Sequence, residues 1–176
     1  MVNKRPLVAV VMGSENDLDT MREAVSVLAE FGVPCEVEVI SAHRTPDRCR
    51  AFARQAQRQG IKVIIAGAGK AAHLAGVIAS HTTLPVIGVP LDSGLLGLDA
   101  VLSTVQMPRG VPVAAMSLGK SGAANAGLFA VAILALSDPE LARRLVGHRR
   151  RQSVAVIRQS RQVKHDLKKK VGPRPA

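Results

Sequence analysis

The sequence predicts an α/β protein in which helices cover both faces of a five-stranded parallel sheet. Short apolar runs alternate with helix-length segments five times along the chain, as in βα units joined by right-handed crossovers. Apolar residues make up 47% of the 176 residues, yet there is no Trp, no Tyr and only three Phe. Val, Ile, Leu and Ala must therefore fill the core, which is typical of a parallel sheet buried on both sides. The length is that of one domain.

Each βα unit is placed by its periodicity and its end signals. The first helix has apolar residues at helical spacing and ends in glycine: Leu18, Met21, Ala24, Val25, Leu28 and Gly32. The second has Thr45 as its expected N-cap, Pro46 at the first helical position and Gly60 as its stop. In chain order, the strand–helix pairs are predicted at 6–13 and 17–32, 35–40 and 45–60, 62–69 and 71–82, 85–91 and 98–106, and 111–119 and 122–137.

Residues 138–176 are predicted to form a basic helix and tail after a globular domain at 1–137. Asp138 is the expected N-cap, and Pro139 is the first helical residue. The helix carries a thin apolar stripe at Leu141, Leu145, Val156, Ser160, Val163 and Leu167. Because so charged a helix is poorly stable alone, we expect it to lie against the body or a neighbouring subunit.

Positive charge is concentrated in this last segment. The formal net charge of the chain is +11. Residues 143–176 contain twelve Lys and Arg and one acid, so residues 1–142 contain twelve bases and twelve acids. Residues 1–142 are therefore neutral, and the whole excess charge lies in residues 143–176.

The composition argues against several classes of protein. Cys35 and Cys49 show no metal-ligand spacing and are expected to be free, buried thiols. The five His are dispersed, so we expect no metal. No apolar run reaches the roughly 18 residues of a membrane span, and the first residues lead into a strand-like run rather than a signal peptide. We therefore expect a cytoplasmic protein with no membrane partner.

Polar residues follow four predicted strands at the points where those strands end. The first strand ends in "MGSEND", the second in "SAHR", the third in "AGAGKAAH" and the fourth in "GVPLDSG". Parallel strands share one carboxyl edge, and ligands bind there at the point where the strand order reverses. Ser, Asp, His and Arg from separate loops are therefore expected to converge on one site.

The segment after the first strand favours an anion. Gly13 and Ser14 lie at a strand-to-helix turn, where backbone N–H groups and the helix dipole attract negative charge. Asp17 can accept hydrogen bonds from a ribose diol. The alternative is that Ser14 or Asn16 only caps the first helix.

The segment after the second strand combines a phosphate ligand set with a titratable group. Ser41 and Arg44 are candidate phosphate ligands, because a guanidinium binds phosphate through two parallel hydrogen bonds. His43 lies between them and is the candidate for proton transfer, since imidazole titrates near neutral pH. The alternative is a His43 bonded to a backbone carbonyl and an Arg44 in a surface ion pair.

Small residues dominate the segment after the third strand. They let backbone amides approach a flat or anionic ligand, although the segment has neither the GxGxxG spacing nor the GK[ST] ending of known phosphate loops. His73 is predicted in the first turn of the following helix, where a purely structural role is the alternative. The small-residue helix at 122–137 indicates close helix packing.

Together these motifs resemble class I PurE, the family of N5-carboxyaminoimidazole ribonucleotide mutases of purine biosynthesis. The resemblance is colinear from about Leu7 to Leu136. It is carried by "VMGSENDLDTM", "SAHRTPD", "AGAGKAAHLAG", "LPVIGVP", "LDAVLSTVQMPRGVPVA" and "GKSGAANAGLFAVAIL".

The resemblance implies a flavodoxin-like three-layer sandwich assembled as a homo-octamer, with sites shared between subunits and no metal or organic cofactor. The implied reaction moves a carboxylate from the exocyclic nitrogen of an aminoimidazole ribonucleotide to ring carbon C4. By motif, His43 matches the catalytic His, which we expect to protonate that nitrogen and later remove the C4 proton. The implied substrate-binding residues are Ser14, Asn16, Asp17, Ser41, Arg44, Gly69, Lys70, Ala71 and His73.

Three residues depart from the family pattern. Asn16 stands where the family more often has Ser, and its amide can still donate to phosphate. Lys70 replaces a Gly, and either solvent or a carboxylate or bicarbonate is its expected partner. Ala75 replaces a Pro at the start of the next helix.

Two other functions stay open. The first is a carboxylase that takes free CO2; the His of "AAHL" and the "VQMP" segment argue against it, whereas Lys70 favours it. The second is a non-catalytic nucleotide-binding module whose basic tail contacts nucleic acid. Without aromatic residues to stack bases, and with a neutral body, nucleic acid is not an expected partner.

Overall fold

A computed structural model describes residues 5–92 and 95–170, without the side chains of residues 168–170. The chain divides into two compact units, Met1–Leu134 and Ala135–Ala176. The division falls close to the expected boundary between residues 137 and 138. The final residues of the expected basic tail, 171–176, lie outside the described part of the chain.

The first unit contains the predicted five-stranded parallel sheet, in the order β2-β1-β3-β4-β5. The strands are β1 (Val8–Met12), β2 (Cys35–Val39), β3 (Val63–Gly69), β4 (Val86–Leu91) and β5 (Ala114–Ala115). Strand β5 is much shorter than the predicted 111–119. Pro112 has no N–H for the ladder, so pairing begins only after it.

Helices connect the strands in sequence order. They are α1 (Leu18–Glu30), preceded by a 3-10 turn at Glu15–Asp17, α2 (Pro46–Gln59), α3 (Leu74–Ala79), α4 (Leu98–Val105) and α5 (Gly119–Ala135). Helix α3 is shorter than the predicted 71–82. The backbone at Lys70 is left-handed, with φ +56°, and the helix begins only after the turn that this residue makes. His73 is therefore the N-cap residue of α3 and not part of its first turn.

The core lies around the three central strands, whose side chains are almost all buried. On one face, α2 and α3 pack their apolar residues against the sheet. Helix α4 approaches β4 so closely that a Cβ at Gly88 would lie 2.5 Å from Cγ2 of Thr104. Of the two cysteines, both free, Cys49 is buried as expected, but Cys35 is only half-buried because it lies on the edge strand β2.

Helix α6 (Pro139–Lys170) belongs to the second unit. Its first turn is capped as predicted, because the Oδ1 atom of Asp138 accepts hydrogen bonds from the N–H groups of Glu140 (2.9 Å) and Leu141 (3.1 Å). Every side chain from residue 149 to residue 167 is exposed. Of the helices in the described ranges, none combines the length and apolar character needed to cross a membrane.

Candidate active site

A cavity of about 660 Å³ lies at the carboxyl edge of the sheet. From β1 the chain passes to the edge strand β2 and then returns to β3 on the other side of β1. The loops that follow these three strands diverge at this reversal and enclose the cavity. The sequence pattern also placed the polar segment after β4 at this edge; Asp92 does not line the cavity, and Ser93 and Gly94 lie outside the described residues.

Nine of the ten expected site residues line this one cavity: Ser14, Asn16, Asp17, Ser41, His43, Arg44, Gly69, Lys70 and Ala71. The tenth, His73, is joined to His43 by a hydrogen bond. Convergence of the three loops, which the strand-end rule predicts, is thus confirmed. Leu74 also lines the cavity, and the sequence patterns did not single it out.

The loop after β1 is held by a capping box. The N–H of Ser14 donates to Oδ2 of Asp17 (3.0 Å), and the N–H of Asn16 donates to Oγ of Ser14 (3.3 Å). The capping alternative is therefore confirmed for Ser14, yet the cap also aims its hydroxyl at the cavity, where its proton can be donated to an anion. Asn16 does not cap, and its exposed side-chain amide can donate to a ligand.

Asp17 has an unfavourable environment for its charge. Burial raises the pKa of this carboxyl above its usual value. The N–H of Ser14 and the positive charge of Arg44 oppose that shift but do not cancel it. The half-buried carboxylate can accept hydrogen bonds from hydroxyl groups, which makes it suited to a diol.

The loop after β2 fixes Arg44 over the loop after β1. The Oγ atom of Ser41 accepts hydrogen bonds from the backbone N–H (3.2 Å) and from Nε (3.4 Å) of Arg44. The Nη2 atom of Arg44 donates to the carbonyl of Gly13 (3.0 Å). Since a guanidinium has five N–H groups, donors remain for a phosphate. The described residues offer Arg44 no ion pair at the surface, so that alternative is wrong.

Thr45 stabilises this loop in an unexpected way. It occupies the N-cap position of α2, but its side chain makes no capping hydrogen bond. Instead its hydroxyl donates to the carbonyl of Ser41 (2.9 Å) and accepts from the N–H of Ser41 (3.2 Å). Thr45 therefore stabilises the turn that carries His43 instead of capping α2 with its side chain.

His43 and His73 form a direct pair. The Nε2 atom of His43 lies 3.0 Å from Nδ1 of His73, and the two rings are nearly perpendicular, at 81°. One proton lies between these two nitrogens, so the tautomer of either ring depends on the other. A backbone carbonyl is not the partner of His43, contrary to the alternative considered for this residue. The pairing itself joins residues thirty positions apart and was not expected.

Lys70 lies at the exposed rim of the cavity, at the end of β3. Its left-handed backbone is a conformation that glycine adopts without strain and that a Cβ makes costly. The ammonium group is thus available both to solvent and to an anion at the cavity mouth. Over the described ranges, no group of three or more His, Cys, Asp or Glu side chains is arranged to hold a metal ion.

Comparison with known proteins identifies relatives along most of the chain. Residues 7–155 match the AIR carboxylase family. A Bacillus subtilis (strain 168) protein named N5-carboxyaminoimidazole ribonucleotide mutase is 54% identical over 160 residues, which cover 90% of this chain and 99% of the relative. An Escherichia coli (strain K12) protein of the same name is 51% identical over 156 residues, covering 88% and 92%.

The fold is also found among solved structures. The crystal structure of Treponema denticola PurE superimposes with a TM-score of 0.81 at 25% sequence identity, covering 91% of this chain and 99% of that one. The parallel sheet and the loops at its carboxyl edge therefore belong to an architecture that has been determined experimentally.

Replacing Lys70 with glycine should stabilise the protein. The left-handed backbone costs an L-residue about 1 kcal/mol or more, so we expect Lys70→Gly to raise the free energy of unfolding by roughly that amount. Lys70→Ala removes the same charge but keeps the Cβ, and it should give no such gain. Urea unfolding of both variants measures the difference. An equal gain in both would contradict the backbone explanation.

Replacing Asp17 with Asn should remove a contribution to the free energy of unfolding that decreases as the pH rises. Because the folded-state pKa is raised, the contribution of Asp17 to stability is complete at low pH and is lost as the pH rises through the raised pKa. The free energy of unfolding of the wild type, relative to Asp17→Asn, should therefore fall over that interval and then level off.

Urea unfolding from about pH 3 to pH 8 measures this change. Asp19→Asn is the matched control, since a hydrogen bond from Lys120 lowers the pKa of Asp19. The free energy of unfolding of the wild type, relative to Asp19→Asn, should rise with pH instead of falling. The same sign for both variants would show that the burial of Asp17 is not the cause.

Proposed function

The chain belongs to the AIR carboxylase family, and we propose that it acts as an N5-carboxyaminoimidazole ribonucleotide mutase. The reaction takes the carboxylate from the exocyclic N5 of the ribonucleotide and places it on ring carbon C4, giving 4-carboxy-5-aminoimidazole ribonucleotide. The observation that carries the proposal is one cavity lined by the Ser41–Arg44 pair and by His43, whose ring is hydrogen-bonded to His73. Relatives with 51% to 57% identity bear this name.

The phosphate of the substrate is the natural ligand for the charged side of the site. Arg44 keeps free N–H donors after its bonds to Ser41 and Gly13, and the hydroxyl proton of Ser14 can be donated. These groups are held in place before a ligand arrives, so little ordering is needed on binding. Asp17 is assigned to the ribose, because its carboxylate accepts hydrogen bonds and would repel a phosphate.

The His43–His73 pair handles the protons of the reaction. His43, protonated, donates to N5 of the carbamate; the N5–carboxylate bond then breaks, giving CO2 and aminoimidazole ribonucleotide. Carbon C4 attacks the CO2 and becomes sp3, and neutral His43 takes the proton that C4 carries, which restores the aromatic ring. The same proton carrier is used twice, so no net proton is consumed. His73 is a positioning residue, since its hydrogen bond selects the tautomer and orientation of His43.

The CO2 must stay in the cavity between the two bond changes. Ala68, Ala71 and Leu74 give the cavity apolar wall surface beside the polar groups, which suits an uncharged molecule of this kind. Retention of CO2 next to C4 replaces a bimolecular encounter with an intramolecular one.

A carboxylase that takes free CO2 is the second candidate. Lys70 favours it, because a cation at the mouth of the cavity can attract bicarbonate or stabilise the carboxylate that forms. Both candidates use the same proton transfers at C4 and differ only in the source of the CO2.

We also propose that several copies of the chain assemble, as a homo-octamer in the cytoplasm, with residues 1–137 as the catalytic domain. Helix α4 exposes apolar side chains along one face, with Leu98, Leu102 and Val105 between 49% and 60% accessible. Contiguous apolar surface of this kind is usual at subunit interfaces. The two free thiols fit a reducing compartment.

The mutase reaction is tested with N5-carboxyaminoimidazole ribonucleotide labelled with 13C in its carboxylate. We expect rapid formation of the C4-carboxylated product with the label retained, followed by NMR and ultraviolet absorbance. His43→Asn should lower kcat by at least about 100-fold, the usual contribution of a general acid–base. His73→Asn should lower it less and shift the pH optimum.

The matched experiment supplies aminoimidazole ribonucleotide and bicarbonate. Product from this mixture alone would establish the carboxylase instead, and Lys70→Gly should then lower its rate. No product from either substrate would contradict both functions and leave a nucleotide-binding domain.

The assembly is tested by replacing Leu102 with Glu. A buried, unpaired carboxylate opposes association, so we expect the mass measured by light scattering to fall from that of the octamer to smaller species. Gln55→Glu adds the same single negative charge at an exposed position outside the α4 face and should leave the mass unchanged. A wild-type monomer, or an assembly that Leu102→Glu does not affect, would contradict this interface.

A further inference from the structure

A second cavity, of about 490 Å³, lies on the opposite side of the molecule from the proposed active site. It is formed by the last two turns of α2 and by residues 80–83, which connect α3 to β4. Both segments lead into the starts of strands, so this cavity is at the amino edge of the sheet. The two cavities have no lining residue in common.

The side chains that line the second cavity carry positive charge and no negative charge. Arg54 and Arg58, both exposed, lie one helical turn apart on α2 and line the cavity together with the half-buried His81. Gln57 and Thr82 add further hydrogen-bond donors. None of its lining residues is an Asp or a Glu, so the guanidinium groups have no counter-charge from the wall of the cavity.

The two arginines differ in this respect from the other arginines of the same helix. Arg48 forms an ion pair with Glu38 (2.6 Å), and Arg50 forms one with Asp47 (3.5 Å). In the described part of the chain, Arg54 and Arg58 have no carboxylate partner. Helix α2 therefore pairs the arginines outside the cavity and leaves those inside it available to a ligand.

The hydroxyl groups that line the second cavity differ in whether their protons are available to a ligand. The Ser80 hydroxyl donates to the carbonyl of Val77 (2.8 Å), so its proton is already used. The Oγ1 atom of Thr82 accepts from the N–H of Leu84 (3.2 Å), which leaves its own proton to be donated. The donors that remain are thus two guanidinium groups, the hydroxyls of Thr82 and Thr83 and the Gln57 amide, and each suits the oxygen atoms of a dianion.

We propose that this second cavity binds the phosphate group of a small phosphomonoester, apart from the substrate. Two guanidinium groups recognise a phosphate through charge-assisted hydrogen bonds. A volume of about 490 Å³ leaves room for an organic group beside the phosphate. The site does not depend on the mutase activity.

Inorganic phosphate is the probe that tests this site, by isothermal titration calorimetry at constant ionic strength. The wild type should bind two phosphates per chain, one in each cavity. The double variant Arg54→Gln, Arg58→Gln should keep one, with the other weakened at least about tenfold, the equivalent of roughly 1.4 kcal/mol. Arg44→Gln should instead lose the phosphate bound in the active-site cavity. Arg50→Gln is the matched control, and it should keep both.

A local signal removes the ambiguity between the two cavities. The His81 ring resonance, assigned with His81→Gln, should shift with phosphate in the wild type and in Arg44→Gln but not in the double variant. The double variant should also keep its mutase activity, because it changes no residue of the active-site cavity. The site is refuted if the double variant binds phosphate as the wild type does, if Arg50→Gln weakens binding equally, or if His81 does not respond. If phosphate binding in the active-site cavity is absent while the His81 shift is preserved, only the proposed substrate contacts are contradicted.

Discussion

The reversal of strand order at β1 is the constraint on which the active-site cavity depends. Because β2 and β3 flank β1, the loop after β2 must reach across the end of β1 to meet the loop after β3. Two hydrogen bonds secure that crossing, from Arg44 to the carbonyl of Gly13 and between His43 and His73. The guanidinium and the imidazole pair are thus positioned by the topology of the sheet and by contacts between loops.

Several groups at this site are kept in conditions that lower stability. Burial disfavours the charged form of Asp17 and raises its pKa, and Lys70 holds a backbone conformation suited to glycine. Such local costs persist only where the surrounding structure enforces them, and they are concentrated at functional sites. Here the buried central strands β1 and β3 supply that support, since they carry the loops to which both residues belong.

Much of the fold, and the membership of the site, could be predicted from the sequence. Alternating apolar and amphipathic segments define the strands and helices, and the strand-end rule brings Ser14, Ser41 and His43 to one edge. The His43–His73 pair could not be predicted, because it depends on side-chain rotamers across loops thirty residues apart. The Arg54–Arg58 cavity was missed because nothing in the spacing of the four α2 arginines distinguishes paired from available side chains. Thr45 satisfies the N-cap pattern, yet its hydroxyl bonds to Ser41 instead.

The crystal structure of the protein with 4-carboxy-5-aminoimidazole ribonucleotide bound tests the central claim most directly. We expect the phosphate to accept hydrogen bonds from Arg44 and Ser41, the ribose to contact Asp17, and C4 with its carboxylate to lie beside His43 in the cavity formed by the loops after β1, β2 and β3. A nucleotide bound at Arg54 and Arg58 alone, or an imidazole ring out of reach of His43, would contradict the account.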